Sequence, residues 1–172
     1  RHEIGFDDVF DTLFSADLTI LEEGTELLSR LNAALTGGQA TLPMITSCSP
    51  GWIKHVEHQF PGELDHLSTC KSPHTMMGAV VKTFYAEKTG TKPEDMFVVS
   101  VMPCTAKKYE IRREEMSAAG KYLGIEDMRD MDYVITTREL AQWAREAEVD
   151  FGALEDGTYD RLMGEASGAG VI

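Results

Sequence analysis

The sequence lacks several features that define broad classes of protein. It has three cysteines, Cys48, Cys70 and Cys104, without the close pairs of a zinc site or the even number of a disulfide scaffold. No apolar run approaches the ~20 residues that a membrane-spanning helix requires. Basic residues number 16 against 29 acidic ones, which disfavours nucleic acid because phosphate binding needs clustered Lys and Arg. The cysteine pattern therefore favours free thiols or metal ligands in a reducing setting. The acidic balance favours a small cationic partner or an uncharged substrate.

The composition of the chain is typical of one ordinary folded domain. Hydrophobic residues make up 42% of the chain and charged residues 26%, so a packed interior is expected and disorder is not. The sequence starts at Arg1 without an initiator Met or a signal-peptide core, and it stops within a glycine-rich run. We expect residues 1–172 to be one partial domain that is cut at both ends.

Hydrophobic periodicity predicts an α/β fold with a mostly parallel sheet flanked by helices. Predicted strands alternate with predicted helices, and the apolar run from Met96 to Met102 is typical of a strand buried on both faces. The predicted helices cover residues 17–35, 52–60, 73–88 and 137–147. The predicted strands cover residues 42–46, 96–102 and 132–136.

Two of the cysteines stand just beyond predicted strands. Cys48 follows the strand at 42–46, and Cys104 follows the strand at 96–102. Ligands of open α/β sheets gather beyond the carboxyl ends of the strands, and soft thiolates select iron–sulfur centres and zinc. For isolated cysteines the alternative is a small buried hydrophobe, and Cys70 is interpreted as structural.

The strings around these cysteines resemble signature motifs of the iron–iron (FeFe) hydrogenases. Residues 46–52, Thr-Ser-Cys-Ser-Pro-Gly-Trp, resemble the first signature, Thr-Ser-Cys-Cys-Pro-x-Trp. Residues 102–110 match the second, Met-Pro-Cys-x-x-Lys-x-x-Glu, at every fixed position. The family's third signature, which supplies two more cysteines, is absent from the chain. Further segments with this likeness are 6–12, 22–30, 71–73, 134–140, 163–165 and 167–170.

The resemblance implies part of a catalytic domain for the reversible reduction of protons to dihydrogen, folded as roughly one lobe of the family's two-lobed domain. The cofactor would be an H-cluster, in which a 4Fe–4S cluster is bridged to a two-iron centre with carbonyl, cyanide and dithiolate amine ligands. Electrons would come from ferredoxin, NAD(P) or another carrier through accessory iron–sulfur domains. Nucleic acid and a membrane span are not expected, and a cytoplasmic location is favoured over a periplasmic one.

The resemblance also assigns roles to individual residues around the two cysteines. Cys104 is implied as a ligand of the 4Fe–4S half, and Ser49 occupies the position of a second ligand cysteine. A serine hydroxyl is harder and far less acidic than a thiol, so it is a poor substitute. With the third signature also missing, we expect the isolated chain to be inactive. Lys107 is implied to hydrogen-bond a cyanide, and the implied pocket residues are Met102, Pro103 and Ser72.

A proton path is implied along the predicted helix that contains Glu23, Glu26 and Arg30. These residues are spaced i, i+3 and i+7, so they share one helical face. From the residue pattern alone, this face is a solvated charged stripe with an ion pair between Glu26 and Arg30. The resemblance implies instead a path through Cys48, Glu23, Ser68, Glu26 and Arg30, in which Cys48 is the proton-donating thiol.

Other interpretations remain open at the level of sequence. A non-catalytic relative that assembles iron–sulfur clusters would share the Met-Pro-Cys motif without the two-iron centre, and Ser49 favours it. The intact set of proton-path residues favours a hydrogenase, because a scaffold needs no proton path. A sensory hydrogenase with low turnover is a further interpretation. A metal pair at His55 and His58 has the right i, i+3 spacing but no third ligand in view.

Overall fold

The described part of the chain alternates helices with two short strands. This computed structural model describes residues 4–164 and 166–167. The elements are α1 Thr12–Leu35, α2 Pro50–Gln59, α3 Pro73–Val80, α4 Ala86–Thr89, β1 Val99–Met102, α5 Lys107–Glu110, α6 Ala118–Leu123, β2 Tyr133–Thr136 and α7 Thr137–Glu146. Short helical turns lie at Pro61–His66 and Pro93–Asp95, and a wider turn at Val81–Tyr85 joins α3 to α4. Positions 165 and 168–170, which belong to the segments that resemble the hydrogenase family, lie outside the described residues.

Strands β1 and β2 pair in parallel, which confirms the α/β fold. The register runs from Val99 opposite Tyr133 to Met102 opposite Thr136. Both strands therefore end at the same edge of the sheet. The segment with Cys104 and the start of α7 emerge at this edge, where α/β proteins commonly bind their ligands.

Two small apolar clusters within the described part of the chain pack helices and strands together. Val134 of β2 is buried with Ile111 and Met131, which places one cluster directly on the sheet. A second cluster joins Met77 at the end of α3 to Leu162 near the C-terminus. Apolar area removed from water stabilises such clusters by about 25 cal/mol per Å². Leu162 therefore packs against Met77 of α3 and Val81 just after it.

Two ion pairs, each with one buried partner, tie the residues on either side of α3 to the chain that leads into β2. Lys82 Nζ donates to Asp132 Oδ1 at 2.7 Å, and Lys71 pairs with the fully buried Asp130. Asp132 Oδ2 also accepts the Val98 backbone N–H at 2.7 Å. Removing one partner of such a pair would leave an uncompensated buried charge. These contacts hold β2 in register beside β1.

Helix α1 packs a small polar face on α3 and leaves most of its leucines exposed. Ser15 and Thr19 are its buried residues, and Thr19 Oγ1 donates to Met76 Sδ at 3.3 Å. Although α1 has 24 residues, no helix of the described chain is long and apolar enough to cross a membrane. The exposed apolar side chains of α1 are Ile20, Leu21, Leu27, Leu28, Leu31 and Leu35.

The predicted helices are confirmed, with shifts at some boundaries. α1 begins at position 12 rather than 17, because the Asp11 carboxylate accepts the Leu13 backbone N–H at 3.0 Å and caps the helix there. α7 begins where predicted, because Thr136 and Glu139 form a reciprocal capping box. Gly90, with φ +68°, follows α4 at the predicted stop.

The predicted strand at 42–46 is wrong. Ile45 makes one isolated parallel bridge, in which it donates to the His66 carbonyl at 2.7 Å and accepts from the Ser68 N–H at 2.7 Å. A strand needs repeated ladder bonds. Residue 67, the partner of Ile45, follows directly on the helical turn Pro61–His66, which leaves room for one bridge.

The predicted strand at 96–102 is correct only in its second half. β1 begins at Val99, because the Val98 N–H is already bonded to a side chain instead of a neighbouring strand. Phe97 is 73% exposed, so the start of this apolar run is not buried on both faces. The third predicted strand, at 132–136, is confirmed as Tyr133–Thr136.

Candidate functional site

The segments that contain Cys48 and Cys104 meet near the edge where β1 ends. Lys107 begins α5, three residues after Cys104, and its Nζ donates to the Cys48 backbone carbonyl at 2.5 Å. Both cysteines are free and exposed. A lysine side chain therefore connects two thiol-bearing segments that lie far apart in the sequence.

Ser49 stands at the N-cap of α2, and its hydroxyl has no hydrogen-bond partner among the described residues. Its backbone is extended, with φ −100° and ψ 110°, and its side chain makes no capping hydrogen bond. Pro50 occupies the first turn, where a missing N–H costs nothing. The exposed side chain at position 49 is therefore open to a ligand, directly beside the exposed Cys48.

The three predicted pocket residues lie at different depths. Pro103 is exposed and Met102 is half-buried, so both are placed to form part of a pocket wall. Ser72 is buried, and its hydroxyl bonds the Thr75 hydroxyl at 3.1 Å. Ser72 is thus committed to the protein interior.

A buried carboxylate holds Lys107 at the cysteine edge, which is the surface beside the end of β1 where the segments of Cys48 and Cys104 meet. The Lys107 ammonium lies 2.8 Å from Glu110 Oε2, and the lysine side chain is only 13% exposed. Burial raises the pKa of the Glu110 carboxyl, but hydrogen bonds from His74, Lys107 and Ser72 outweigh burial and hold the pKa below its usual range. Glu110 therefore stays charged and keeps the Lys107 ammonium beside the Cys48 segment.

Three of the predicted proton-path residues form one hydrogen-bonded cluster. Ser68 Oγ donates to Glu26 Oε2 at 2.8 Å, and Arg30 Nη2 donates to Glu26 Oε1 at 2.6 Å. The side chains of Glu26 and Arg30 are each 15% exposed, so this pair is not the solvated stripe that the residue pattern alone predicts. Arg30 also donates to three backbone carbonyls, those of Thr41, Asp65 and Leu67.

The surroundings of Glu26 favour its charged form. Burial raises the pKa of this carboxyl, but hydrogen bonds from Ser68, Arg30 and the Thr69 backbone outweigh burial, so the pKa lies below 4.5. Glu26 is consequently a carboxylate at neutral pH. At rest it is a proton acceptor that is already oriented by its donors.

The other two predicted path residues are not joined to this cluster. Glu23 is half-buried one turn before Glu26 and makes no hydrogen bond or ion pair with another described residue. Cys48 is exposed, and its bond to Lys107 uses the backbone carbonyl rather than the thiol. Water molecules would have to bridge the steps from Cys48 to Glu23 and from Glu23 to Ser68.

Sequence reasoning missed the position of Cys70 beside Glu26. The Cys70 thiol lies 3.8 Å from Glu26 Oε2, and its backbone N–H donates to Ser68 Oγ at 3.1 Å. Burial raises the pKa of this thiol, and the nearby charges of Glu26 and Glu23 add to the rise. A neutral thiol therefore lines the carboxylate cluster, and its place two residues after Ser68 was the available signal.

Sequence reasoning also missed a buried network behind Lys107. His74 Nε2 lies 2.7 Å from Glu110 Oε2, and His74 Nδ1 lies 3.0 Å from Ser100 Oγ. Glu110 is the last fixed position of the second signature, which was a signal that it matters. The sequence carries no comparable signal for His74 or Ser100.

The pair His55 and His58 yields no metal site among the described residues. His55 stacks on Trp52 with ring centroids 6.0 Å apart and meets Phe60 edge-on at 5.6 Å. No group of three or more His, Cys, Asp or Glu in the described chain is placed to hold a metal ion. The cysteine edge therefore offers part of a ligand set, and the Glu26 cluster offers acid–base groups.

Comparisons with known proteins place these observations in a family. The family model described as the iron-only hydrogenase large subunit, C-terminal domain, matches residues 1–172. NADP-reducing hydrogenase subunit HndD of Solidesulfovibrio fructosivorans is 51% identical over 170 residues, which cover 98% of this chain and 28% of that protein. Cytosolic Fe-S cluster assembly factor NAR1 of Botryotinia fuckeliana is 36% identical over 150 residues, 87% of this chain and 26% of that protein.

Solved structures show the same fold. A variant of the FeFe-hydrogenase HydA1 from Chlamydomonas reinhardtii superposes with a TM-score of 0.82 at 47% sequence identity. The match covers 98% of this chain and 40% of that one. The chain thus spans less than half the length of each of these proteins.

Proposed function

This chain belongs to the iron-only hydrogenase large-subunit family, and we propose that it supplies one wall of an H-cluster site and the path that delivers protons to it. The parent protein would catalyse the reversible reduction of protons to dihydrogen, with electrons from ferredoxin or NAD(P). The hydrogen-bonded set of Ser68, Glu26 and Arg30 carries the proposal, because a protein that only assembles clusters needs no such relay.

The residues at the cysteine edge fit one side of an iron–sulfur group. Cys104 offers an exposed thiol, the soft ligand that such clusters take, and Ser49 offers an uncommitted hydroxyl. Met102 and Pro103 would line the pocket, and Lys107 Nζ would donate a hydrogen bond to a cyanide. When bound, the H-cluster would supply the redox chemistry of dihydrogen, while the protein holds it and moves protons.

The Glu26 cluster would work as the outer part of a proton relay. Arg30 fixes the carboxylate, and the Ser68 hydroxyl, which donates to Glu26, would pass a proton between that carboxylate and a bridging water. Glu23 would take the proton one helical turn further along α1. Cys48 would hold it at Sγ, next to the cluster, and ordered water would complete the chain.

Conservative substitutions in the full-length protein test this relay. Glu26→Gln and Glu23→Gln keep the side-chain shape but remove the carboxyl that carries the proton, and Cys48→Ala removes the thiol. We expect each to lower dihydrogen turnover by roughly 100-fold or more, with the iron content unchanged. Ser68→Ala should lower turnover less, because water replaces a hydroxyl.

Glu22→Gln is the matched control, since Glu22 is an exposed carboxylate on the same helix and outside the relay. Its turnover should stay close to that of the unmodified protein. Near-normal turnover in both Glu23→Gln and Glu26→Gln would exclude the relay. These residues would then be part of an ordinary charged helix face.

Iron–sulfur cluster assembly is the second candidate function. The 36% identity to NAR1 and the serine at position 49 favour it. Purified full-length protein separates the two functions: an assembly protein would transfer its 4Fe–4S cluster to an apo-ferredoxin without producing dihydrogen. A hydrogenase would turn over dihydrogen and retain its cluster.

A further inference from the structure

The network behind Lys107 has no place in the proposed proton path. Lys107 pairs with Glu110, Glu110 pairs with His74, and Ser100 bonds the far side of the imidazole. These side chains come from three separate stretches of the chain, around α3, β1 and α5. The network ends at Lys107, whose Nζ reaches the Cys48 carbonyl.

This network is closed to solvent at its inner end. His74 is 2% exposed and Glu110 is 3% exposed, and Ser72, Thr75 and Ser100 are buried as well. A proton that entered at Lys107 would have no exit among the described residues. A hydrogen-bonded network that reaches the surface at one end only cannot conduct protons through the protein. It can orient the group at that end, which here is Lys107.

Charge balance assigns the protons within the network. Lys107 and Glu110 neutralise one another, and a third buried charge would cost free energy without a partner. His74 is therefore neutral: it donates from Nε2 to Glu110 and accepts at Nδ1 from the Ser100 hydroxyl. This single tautomer fixes the imidazole ring from both sides.

We propose that His74 is a positioning residue for Lys107, acting through the Glu110 carboxylate. The lysine stem is long and flexible, so its ammonium needs an anchored carboxylate to stay at the cysteine edge. His74 holds one oxygen of that carboxylate from the core. The inference deepens the proposed function and rests on it, because it assumes that the Lys107 ammonium serves the cluster.

Two amide substitutions separate positioning from simple packing. In His74→Gln the amide nitrogen replaces Nε2 and still donates to Glu110, whereas in His74→Asn the shorter amide replaces only Nδ1 and reaches Ser100. The measurement is the rate of amine acylation of Lys107, read by mass spectrometry in apo full-length protein. Lys108, a half-buried neighbour paired with Glu139, is the internal standard.

We expect His74→Asn to speed acylation of Lys107 roughly three- to tenfold, because the carboxylate that anchors the ammonium loses one of its hydrogen bonds, and we expect His74→Gln to stay near the original rate. The Lys108 rate should not change. Equal rates in the two variants, or an unchanged rate in His74→Asn, would overturn the inference. If His74→Asn does not fold, Ser100→Ala replaces it, and an unchanged Lys107 rate there has the same meaning.

An infrared measurement on the cluster-loaded protein distinguishes this inference from the proposed function. Displacement of Lys107 should shift a cyanide stretching band in His74→Asn and leave it in place in His74→Gln. A change in Lys107 acylation without any shift of the band would support the role of His74 but remove the assignment of Lys107 to a cyanide. A shift of the band with no change in acylation would overturn the role of His74.

Discussion

Glu26 and Glu23 lie one helical turn apart on α1, yet their side chains meet very different surroundings. Glu26 accepts hydrogen bonds from Ser68, Arg30 and the Thr69 backbone, which lower the pKa of its carboxyl. Glu23 has no such partner among the described residues. At the scale of the residue, the neighbours brought by other segments decide what a carboxylate does.

Ser49 is the single residue whose replacement should improve the proposed site. Its hydroxyl makes no capping bond, so Ser49→Cys would cost the fold little and would add a soft thiolate ligand. In the full-length protein we expect higher 4Fe–4S occupancy and higher turnover, measured by iron content and the spectroscopic signal of the cluster.

Cys48→Ser is the companion variant for this prediction. If Ser49 holds the ligand position, Cys48→Ser should lower turnover while the 4Fe–4S content remains. No gain from Ser49→Cys, together with loss of the cluster in Cys48→Ser, would show that Cys48 is the ligand and that the assignment is off by one residue.

At the scale of the element, α3 lies unusually close to the chain that leads into β2. A Cβ on Gly78 would overlap the Asp130 carbonyl and meet the Met131 side chain. Asp130 is fully buried and pairs with Lys71, so this segment has little freedom to move away. The absence of a side chain at position 78 lets α3 approach the chain that leads into the sheet.

We therefore expect Gly78→Ala to destabilise the protein by about 1–3 kcal/mol, because overpacking a tight contact forces backbone shifts. The free energy of unfolding in urea measures the change. Gly62→Ala is the control, since nothing lies within 4 Å of a Cβ there, and it should change stability by no more than about 0.5 kcal/mol. Similar values for both variants would contradict the close approach.

At the scale of the whole molecule, the net charge of -13 and the paired carboxylates act in opposite directions on acidification. Protonation relieves the mutual repulsion of the acidic groups, which favours the compact state. It also removes hydrogen bonds and ion pairs that depend on charged carboxylates. The carboxyl groups whose folded pKa lies below the usual 4.5 include Glu26, Glu57, Glu110 and Glu115.

We expect the paired carboxylates to dominate. A folded pKa below the unfolded value contributes stability that is present above pH 4.5 and is lost as the pH falls through the lowered pKa. Urea unfolding from about pH 7 to about pH 3 should therefore show stability declining below the unfolded pKa. Glu26→Gln should flatten part of that decline. A rise in stability over the same interval would mean that relief of charge repulsion is the larger effect.

The isolated chain should neither bind a complete H-cluster nor produce dihydrogen. The described residues provide only a partial ligand set around Cys104 and Ser49, and no complete metal-binding group lies among them. Iron content and dihydrogen production after attempted cluster loading are the measurements. Dihydrogen evolution by the 172-residue chain alone would contradict this prediction.

The sequence by itself determined the local structure and the family. Helical spacing, caps and stop signals are properties of residues that lie close together in the chain, so the longer helices could be predicted to within about five residues. The short helices α5 and α6 were not predicted. The strings around Cys48 and Cys104 identified the family, because their fixed positions lie close together in the chain. The extent of the strands was less predictable. The apolar runs at 42–46 and 96–98 have no neighbouring strand to pair with along their length, and no local pattern reveals whether such a neighbour exists.

Only the tertiary structure decided which chemical groups meet. Ser68 and Glu26 are 42 positions apart, Lys107 and Cys48 are 59 apart, and His74 and Glu110 are 36 apart. Such contacts depend on how helices and strands pack, and packing is set by all the elements together. The same dependence left Glu23 without a partner in the described chain and placed His74 behind Lys107, where no sequence pattern would have put it.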